Sequence, residues 1–420
     1  MVYNRGVKVL GIETSCDETA AAVVEDGVKI LSNVVVSQID IFAAYGGVIP
    51  EVAARSHLEA MLPVVDKALE DAHCDWGDID AIAVTHAPGL LGSLLIGTLT
   101  ARTLAILHNK PLYAVHHLKS HVYANWLNGG MRGLTESVFS NAGLESASTS
   151  YAGTRAEPSL RDEPVRSGRN IRALDSNPTF MHPKKQASAT RTPTFPLLAL
   201  VVSGGHTQIL YMSGHNQFEI IGTTHDDAVG ECFDKVAKIL GLPYPGGPSI
   251  SKAASNGDAN KYRLPHPKVA GLDFSFSGLK TAVLRTVQKE LGVPISYPSH
   301  QLKDLLSAQQ VSDFAASFQK TAVAILVEKL KKALEQYPDV KSVVVAGGVS
   351  ANAELKKQVH EMVSSLASGE PEIRAYFPAL SLAGDNGAMV GAACYFEIQS
   401  GVEPVDPYSL NIYPRISIES

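Results

Sequence analysis

A chain of 420 residues with 45% hydrophobic and 19% charged residues is too long for one ordinary core and too apolar for a disordered one, so two globular lobes are expected. A net charge of −6 argues against non-specific coating of nucleic acid, which needs a broad Lys/Arg surface, and leaves room for a local basic patch only. No apolar run reaches the roughly 18–20 residues of a bilayer crossing, the longest being broken by Gly97, Thr98, Thr100 and Arg102, and the strand-like start at Val7 leaves no space for a secretory or organellar leader; a cytoplasmic protein without membrane association is expected.

Residues 7–12 are apolar, 13–18 polar and 19–24 β-prone, with Asp26-Gly27 offering a tight turn, which predicts an opening β-hairpin. Helix is expected to follow, where Leu58, Met61, Leu62, Val65 and Leu69 recur at helical spacing. A short strand over 79–84 leads into Gly89-Leu90-Leu91-Gly92-Ser93 and a second helical segment. Residues 128–195 break this α/β alternation. They are rich in Ser, Thr, Pro and Arg without periodicity, carry seven arginines and two lysines against six acids, and predict a disordered insertion that is dispensable for folding. It reads either as a solvated linker or as an RNA-touching arm. A second strand-turn-strand signal spans 197–212 around Ser203-Gly204-Gly205-His206-Thr207, echoing the first lobe. A long amphipathic helix carries Val311, Phe314, Phe318, Ala322, Ile325, Leu326 and Leu330, and a buried-type strand over 342–346 ends at Gly347-Gly348.

His117 and His121, four apart, project from one helix face and can share a metal, although two ordinary histidines would show the same spacing. Leu118 follows His117 where a zincin needs its glutamate, which removes the main support for metalloprotease chemistry. Three glycine-rich turns, at 203–207, 244–248 and 347–352, expose backbone N–H groups that suit an anion; each alone is simple turn geometry, and together they favour a nucleotide cleft. Acids gather at strand and helix ends: Glu13, Asp17 and Glu18; Asp226, Asp227, Glu231 and Asp234; Asp385. Capping, ribose binding and metal ligation all fit such places, with capping favoured for Asp226 and Asp227. Cys16, Cys74, Cys232 and Cys394 form no C-x-x-C pair, so neither a disulfide framework nor a thiolate zinc site is expected.

Gly11-Ile12-Glu13-Thr14-Ser15-Cys16-Asp17-Glu18-Thr19, Gly47-Val48-Ile49-Pro50-Glu51, His117-x-x-x-His121, Val202-Ser203-Gly204-Gly205-His206-Thr207 and Phe233-Asp234-Lys235 resemble, in order, the motifs of the TsaD-type tRNA threonylcarbamoyladenosine transferases. So do Pro245-Gly246-Gly247-Pro248, Phe274-Ser275-Phe276-Ser277-Gly278-Leu279-Lys280, Gly347-Gly348-Val349-Ser350-Ala351-Asn352 and Asp385-Asn386-Gly387-Ala388-Met389. The resemblance spans nearly the whole chain outside the insertion. Departures are Ser251 in place of a common Asp, Lys119 in place of a residue that is often acidic, His86-Ala87 ahead of Pro88-Gly89, and the insertion itself.

The resemblance implies an α/β fold of the actin/Hsp70/sugar-kinase-like (ASKHA) type, two-lobed, with duplicated RNase H-like lobes. Its domains would be a first lobe (1–127), the insertion (128–195), a second lobe (196–385), and a C-terminal helix and tail (386–420) returning to the first lobe. It implies a metal, Fe(II) or alternatively Zn(II), held by His117, His121 and Asp385, and substrate contacts from Val202, Ser203, Gly204, Gly205, His206, Asp234, Gly247 and Asn352. The implied reaction moves a threonylcarbamoyl group from threonylcarbamoyl-AMP to N6 of adenosine 37 in tRNAs reading codons that begin with A. Asp17 is the expected general base, with Glu18 as the alternate. The implied partners are tRNA, a paralogous actin-like subunit and a small P-loop ATPase. The competing readings are an ATP-dependent phosphotransferase or ATPase of the same fold, and a nucleotide-gated scaffold.

Overall fold

Residues 5–127, 137–139, 192–267, 269–366 and 373–419 are described by the computed structural model. The first lobe opens as an antiparallel meander of β1 (Lys8–Glu13), β2 (Glu18–Glu25) and β3 (Lys29–Ser37). After α1 (Ile39–Ala43) and α2 (Pro50–Asp71), β4 (Ala81–Ala87) adds in parallel beside β1. Helix α3 (Leu91–His108) then crosses to β5 (Leu112–His116), parallel to β4, and β5 runs into α4 (His117–Tyr123). Parallel strands need such crossovers, and the helices cover the sheet with Met61, Val64 and Val65 from α2 and Ala101, Leu104 and Ala105 from α3.

Two expectations change here. Asp26 and Gly27 both take left-handed backbone, with φ of 54° and 67°, but the hairpin they close joins β2 to β3, a strand where the sequence reading passed directly to helix. The signal was present: Ile30, Val34 and Val36 alternate with exposed or half-buried neighbours. Leu58 and Leu62, read with the apolar helix stripe, are 68% and 58% exposed.

The second lobe repeats the first. A meander of β7 (Leu197–Val202), β8 (Thr207–Gly214) and β9 (Gln217–Thr223) is followed by α5 (Val229–Leu240), α6 (Gly246–Ala254), α7 (Ser277–Glu290) and the long α8 (Ala308–Gln336). A capping box of Ser307 and Gln310 starts α8. β10 (Ser342–Ala346), then α9 (Ala353–Leu366) and β11 (Arg374–Tyr376) complete the sheet. The strand orders β5-β4-β1-β2-β3 and β11-β10-β7-β8-β9 are the same topology, with the same parallel and antiparallel pairings. This is the duplicated, RNase H-like arrangement of the actin/Hsp70/sugar-kinase-like fold.

Of the insertion read as disordered, only 137–139 and 192–195 are among the described residues. β6 (Ser137–Phe139) pairs in parallel along β3, and Thr194 N donates to Ser342 Oγ at 2.9 Å, so the second lobe holds the chain already ahead of Pro196. The rest of that expectation lies outside the described residues.

Helix α10 (Gly387–Gln399) leaves the second lobe and buries most of its length against β1 and β2. Its seat depends on Gly11, where a Cβ would collide with the Gly387 carbonyl and the Gly391 backbone. The remaining chain crosses both lobes: Tyr413 N donates to His86 O at 3.0 Å, Gly89 N to Pro414 O at 3.2 Å, and Ile220 N to Glu419 Oε1 at 2.7 Å.

Candidate functional site

The His pair is positioned by the abrupt passage from β5 into α4. His116 Nδ1 accepts from Leu118 N at 3.2 Å and caps the helix, so His117 and His121 fall one turn apart on one buried side. Asp385 sits just ahead of α10, whose N-cap Asn386 accepts from Met389 N at 3.0 Å. Asp385 Oδ1 lies 3.1 Å from His121 Nε2 and 3.6 Å from His117 Nε2, and one ligand atom from each of the three residues lies within 4.8 Å of the others. Both ring nitrogens of His121 are buried without a hydrogen bond among the described residues, so the approach of Asp385 lacks hydrogen-bond geometry. An imidazole left this way is costly, and a cation between the three side chains removes the cost. The residues therefore fit a metal, and two imidazoles with one carboxylate suit iron or zinc by ligand type.

A fourth residue completes the centre. The side chain of Glu13 is fully buried and accepts from Ser15 N at 2.5 Å and Thr85 Oγ1 at 2.6 Å, while its Oε2 faces His117 Nδ1 at 3.2 Å. A carboxylate behind a ligating imidazole fixes its tautomer and leaves Nε2 for the metal. Burial opposes charge on His117, yet Asp385 and Glu13 hold it up to about 9. Burial likewise works against the Asp385 carboxylate, and His117 and His121 nevertheless hold it down to about 2. Sequence reading grouped Glu13 with the strand-end acids and assigned it no role; the buried partners that give it one come from β4 and α4.

Asp17 and Glu18 close the same turn. Burial raises both, and Glu18 stands well above the carboxylate range because Asp17 and Asp385 add repulsion. The contact with Glu18 offsets part of the rise at Asp17, so of this coupled pair Glu18 is the more strongly raised. The turn is held rigid from below. His57 Nε2 lies 3.0 Å from Cys16 O, Ser93 Oγ donates to Cys16 O at 3.1 Å, and Gln38 N to Asp17 O at 3.0 Å. Buried His57 was missed in the sequence, where one histidine on a mixed helix carries no signal.

The second lobe turns glycine backbone toward this centre. After Val202 the chain tightens through Ser203, whose N donates to His206 O at 2.9 Å; Gly204 and Gly205 stand exposed with open space where a side chain would be. Gly347, at φ 87°, packs on Val202 O, and Gly348 is open. Gly247 is open too, beside Asp234, whose Oδ1 accepts from Gly246 N at 2.6 Å. Asn352 Nδ2 donates to Gln319 Oε1 at 2.9 Å and to Ser251 Oγ at 3.0 Å. The two lobes meet electrostatically: burial, then repulsion from His117 and His121, lowers His206 to about 4, and burial, then Asp17, contributes to raising Asp234. Asp226 does not cap α5, the helix it precedes; it accepts from the Phe276 and Ser277 amides and the Ser275 and Ser277 hydroxyls at the start of α7 instead. Asp227 does not cap; it pairs with Lys235 at 2.6 Å. All four cysteines are free.

The family model described as TsaD, tRNA N6-adenosine threonylcarbamoyltransferase, matches residues 29–135 and 181–392 and skips the middle of the insertion. The chain is similar to the tRNA N6-adenosine threonylcarbamoyltransferase of Dehalococcoides mccartyi, 41% identical over 415 residues covering 99% of this chain and 100% of the relative. That of Halalkalibacterium halodurans is 39% identical over 421 residues, covering 100% of this chain and 99% of the relative. Among solved structures, HypF from T. kodakarensis superimposes with a TM-score of 0.51 at 13% identity, covering 94% of this chain and 49% of that one, a likeness that concerns the fold.

Proposed function

The chain belongs to the tRNA N6-adenosine threonylcarbamoyltransferase family, and we propose that it transfers the threonylcarbamoyl group of threonylcarbamoyl-AMP to N6 of adenosine 37 in tRNAs reading codons that begin with A. The observation that carries this reading is the pairing, across one cleft, of a His/His/Asp triad and the Asp17 turn with open glycine backbone at residues 204, 205, 247 and 348.

In this reading the amides around Gly204, Gly205 and Gly348 bind the adenylate phosphate, as unshielded N–H groups suit an anion. Val202, Ser203 and His206 shape that loop, and Asp234, Gly247 and Asn352 receive the nucleoside. His117, His121 and Asp385 hold Fe(II), or Zn(II) in its place, and the ion when bound supplies Lewis-acid stabilisation of charge on the carbonyl or the leaving phosphate. The adenine amine is a poor nucleophile, so positioning supplies much of the rate. Its nitrogen attacks the carbamoyl carbon, the bond to the phosphate oxygen breaks with its electron pair leaving on AMP, and the N6 proton passes to Asp17. Protonated Glu18 holds Asp17 in place by its hydrogen bond.

The proposed partners are tRNA, a paralogous actin-like subunit and a small P-loop ATPase, and a tRNA substrate puts the work in the cytoplasm. Support for a protein partner comes from an apolar strip across the packed pair α2 and α3, where Leu58, Leu62, Leu91, Leu95 and Leu99 are all exposed. Helix α3 is the one described helix long and apolar enough to cross a bilayer, and it carries part of this strip while its other side packs in the lobe. Mass spectrometry of tRNA nucleosides from cells depleted of the protein tests the function. Threonylcarbamoyladenosine is expected to disappear, and an unchanged level overturns the reading.

A further inference from the structure

We infer that a cavity of about 520 Å³ beside His206 is the port through which the acceptor nucleoside of the RNA reaches the metal triad, with Arg415 taking an adjacent phosphate; this rests on the transfer to RNA proposed above. The cavity lies between the lobes. The first lobe lines it with Pro88, Gly89 and Leu118, the second with His206 and Gln208. Its outer wall is the C-terminal tail at residues 414–418, strapped to the first lobe by Gly89 N on Pro414 O and to the second by Ile220 N on the Glu419 carboxylate.

Position, size and chemistry each support this occupant. Leu118 follows the ligand His117 in the chain, and α4, which carries both histidines, packs on β7, the strand leading into the loop of His206, so the cavity adjoins the reacting centre. Of the donor-side candidates only His206 lines it; Asp234, Gly247 and Asn352 do not, which leaves most of the cavity to a second substrate. Its volume falls in the range of roughly 300–1,000 Å³ that encloses small organic ligands, enough for a purine nucleoside. Leu118, Pro414 and Ile416 offer apolar faces to a flat base, while the rim carries Arg415, exposed and without an ion pair among the described residues. Single-stranded loops are where RNA bases can be splayed into such a recess, with guanidinium groups taking the backbone.

The experiment uses the full chain, a fluorescently labelled anticodon stem-loop RNA with an unmodified adenosine 3′ of the anticodon, and AMP as probe of the donor side. R415E is expected to weaken RNA binding by about tenfold and to lower the slope of log affinity against log salt by about 1, with AMP affinity unchanged. R415K should stay within about threefold of the natural chain, because the charge remains. S417W, which fills the cavity from its outer wall, should cut single-turnover transfer at least tenfold while AMP still binds. Unchanged RNA affinity in R415E, or full transfer in S417W, overturns the port and leaves the function standing. A natural chain that transfers nothing to RNA in the presence of its donor, the paralogous subunit and the ATPase overturns the function, and the port falls with it.

Discussion

Glu13 Oε2 lies 3.2 Å from Nδ1 of His117, behind the ring whose Nε2 faces Asp385. Replacing an outer carboxylate of this kind typically costs about 10- to 100-fold in metal affinity. The hypothesis is therefore that E13Q still binds the metal, but weakly, whereas H117A and D385A lose it. Competition titration with a chelating dye reads the first, and elemental analysis the others. Full stoichiometry in D385A would refute the ligand set.

The Asp17 and Glu18 pair makes a prediction about pH. Only the ionised carboxylate accepts a proton, and burial raises Asp17 above its ordinary value. The single-turnover rate should therefore be low at acid pH and climb through a midpoint above the ordinary aspartate value. D17N should lower the plateau by about 10²- to 10⁴-fold with little change in donor affinity. In the proposed mechanism Glu18 acts as a neutral donor, so E18Q, which keeps a neutral donor there, should retain most activity at neutral pH. Near-natural rates in D17N would mean that the proton leaves by another route.

Asn352 serves two ends of one side chain. Its Oδ1 accepts from Leu355 N at 3.0 Å and caps α9, and its Nδ2 reaches Ser251 and Gln319. N352A is predicted to lose about 1 kcal/mol of stability with the cap and also to bind the donor more weakly. N352D keeps the accepting oxygen, so its melting temperature should stay near the natural value while donor affinity, measured by calorimetry, still falls. Unaltered donor binding in both variants would restrict Asn352 to capping.

The strip on α2 and α3 predicts association without a folding role. Leu58 is 68% and Leu95 43% exposed, so L58E and L95E should melt as the natural chain does. Each should weaken binding to the paralogous subunit, as read by analytical ultracentrifugation of the mixture. Undiminished complex in the double variant would place the partner elsewhere.

Local pattern in the chain determined the first two strands of each meander, the long α8, the i,i+4 histidines and the glycine turns, because strand alternation, helical spacing and positive-φ turns are written over a few residues each; the third strands, β3 and β9, were not read from it. The same locality misled at Leu58 and Leu62, where helical spacing marks an apolar face without saying whether core or solvent meets it. Asp227 fell to the same limit, since a carboxylate near a helix start can cap or pair, and the choice was made by Lys235 on the next turns. Only the tertiary structure decided that Asp385 meets His117 and His121 from some 260 residues away, that Glu13 and Thr85 stand behind His117, and that His57 pins the Asp17 turn. The Asp385 contacts depend on where α10 settles on β1, a matter of close packing at Gly11 against Gly387 and Gly391 that no periodicity records.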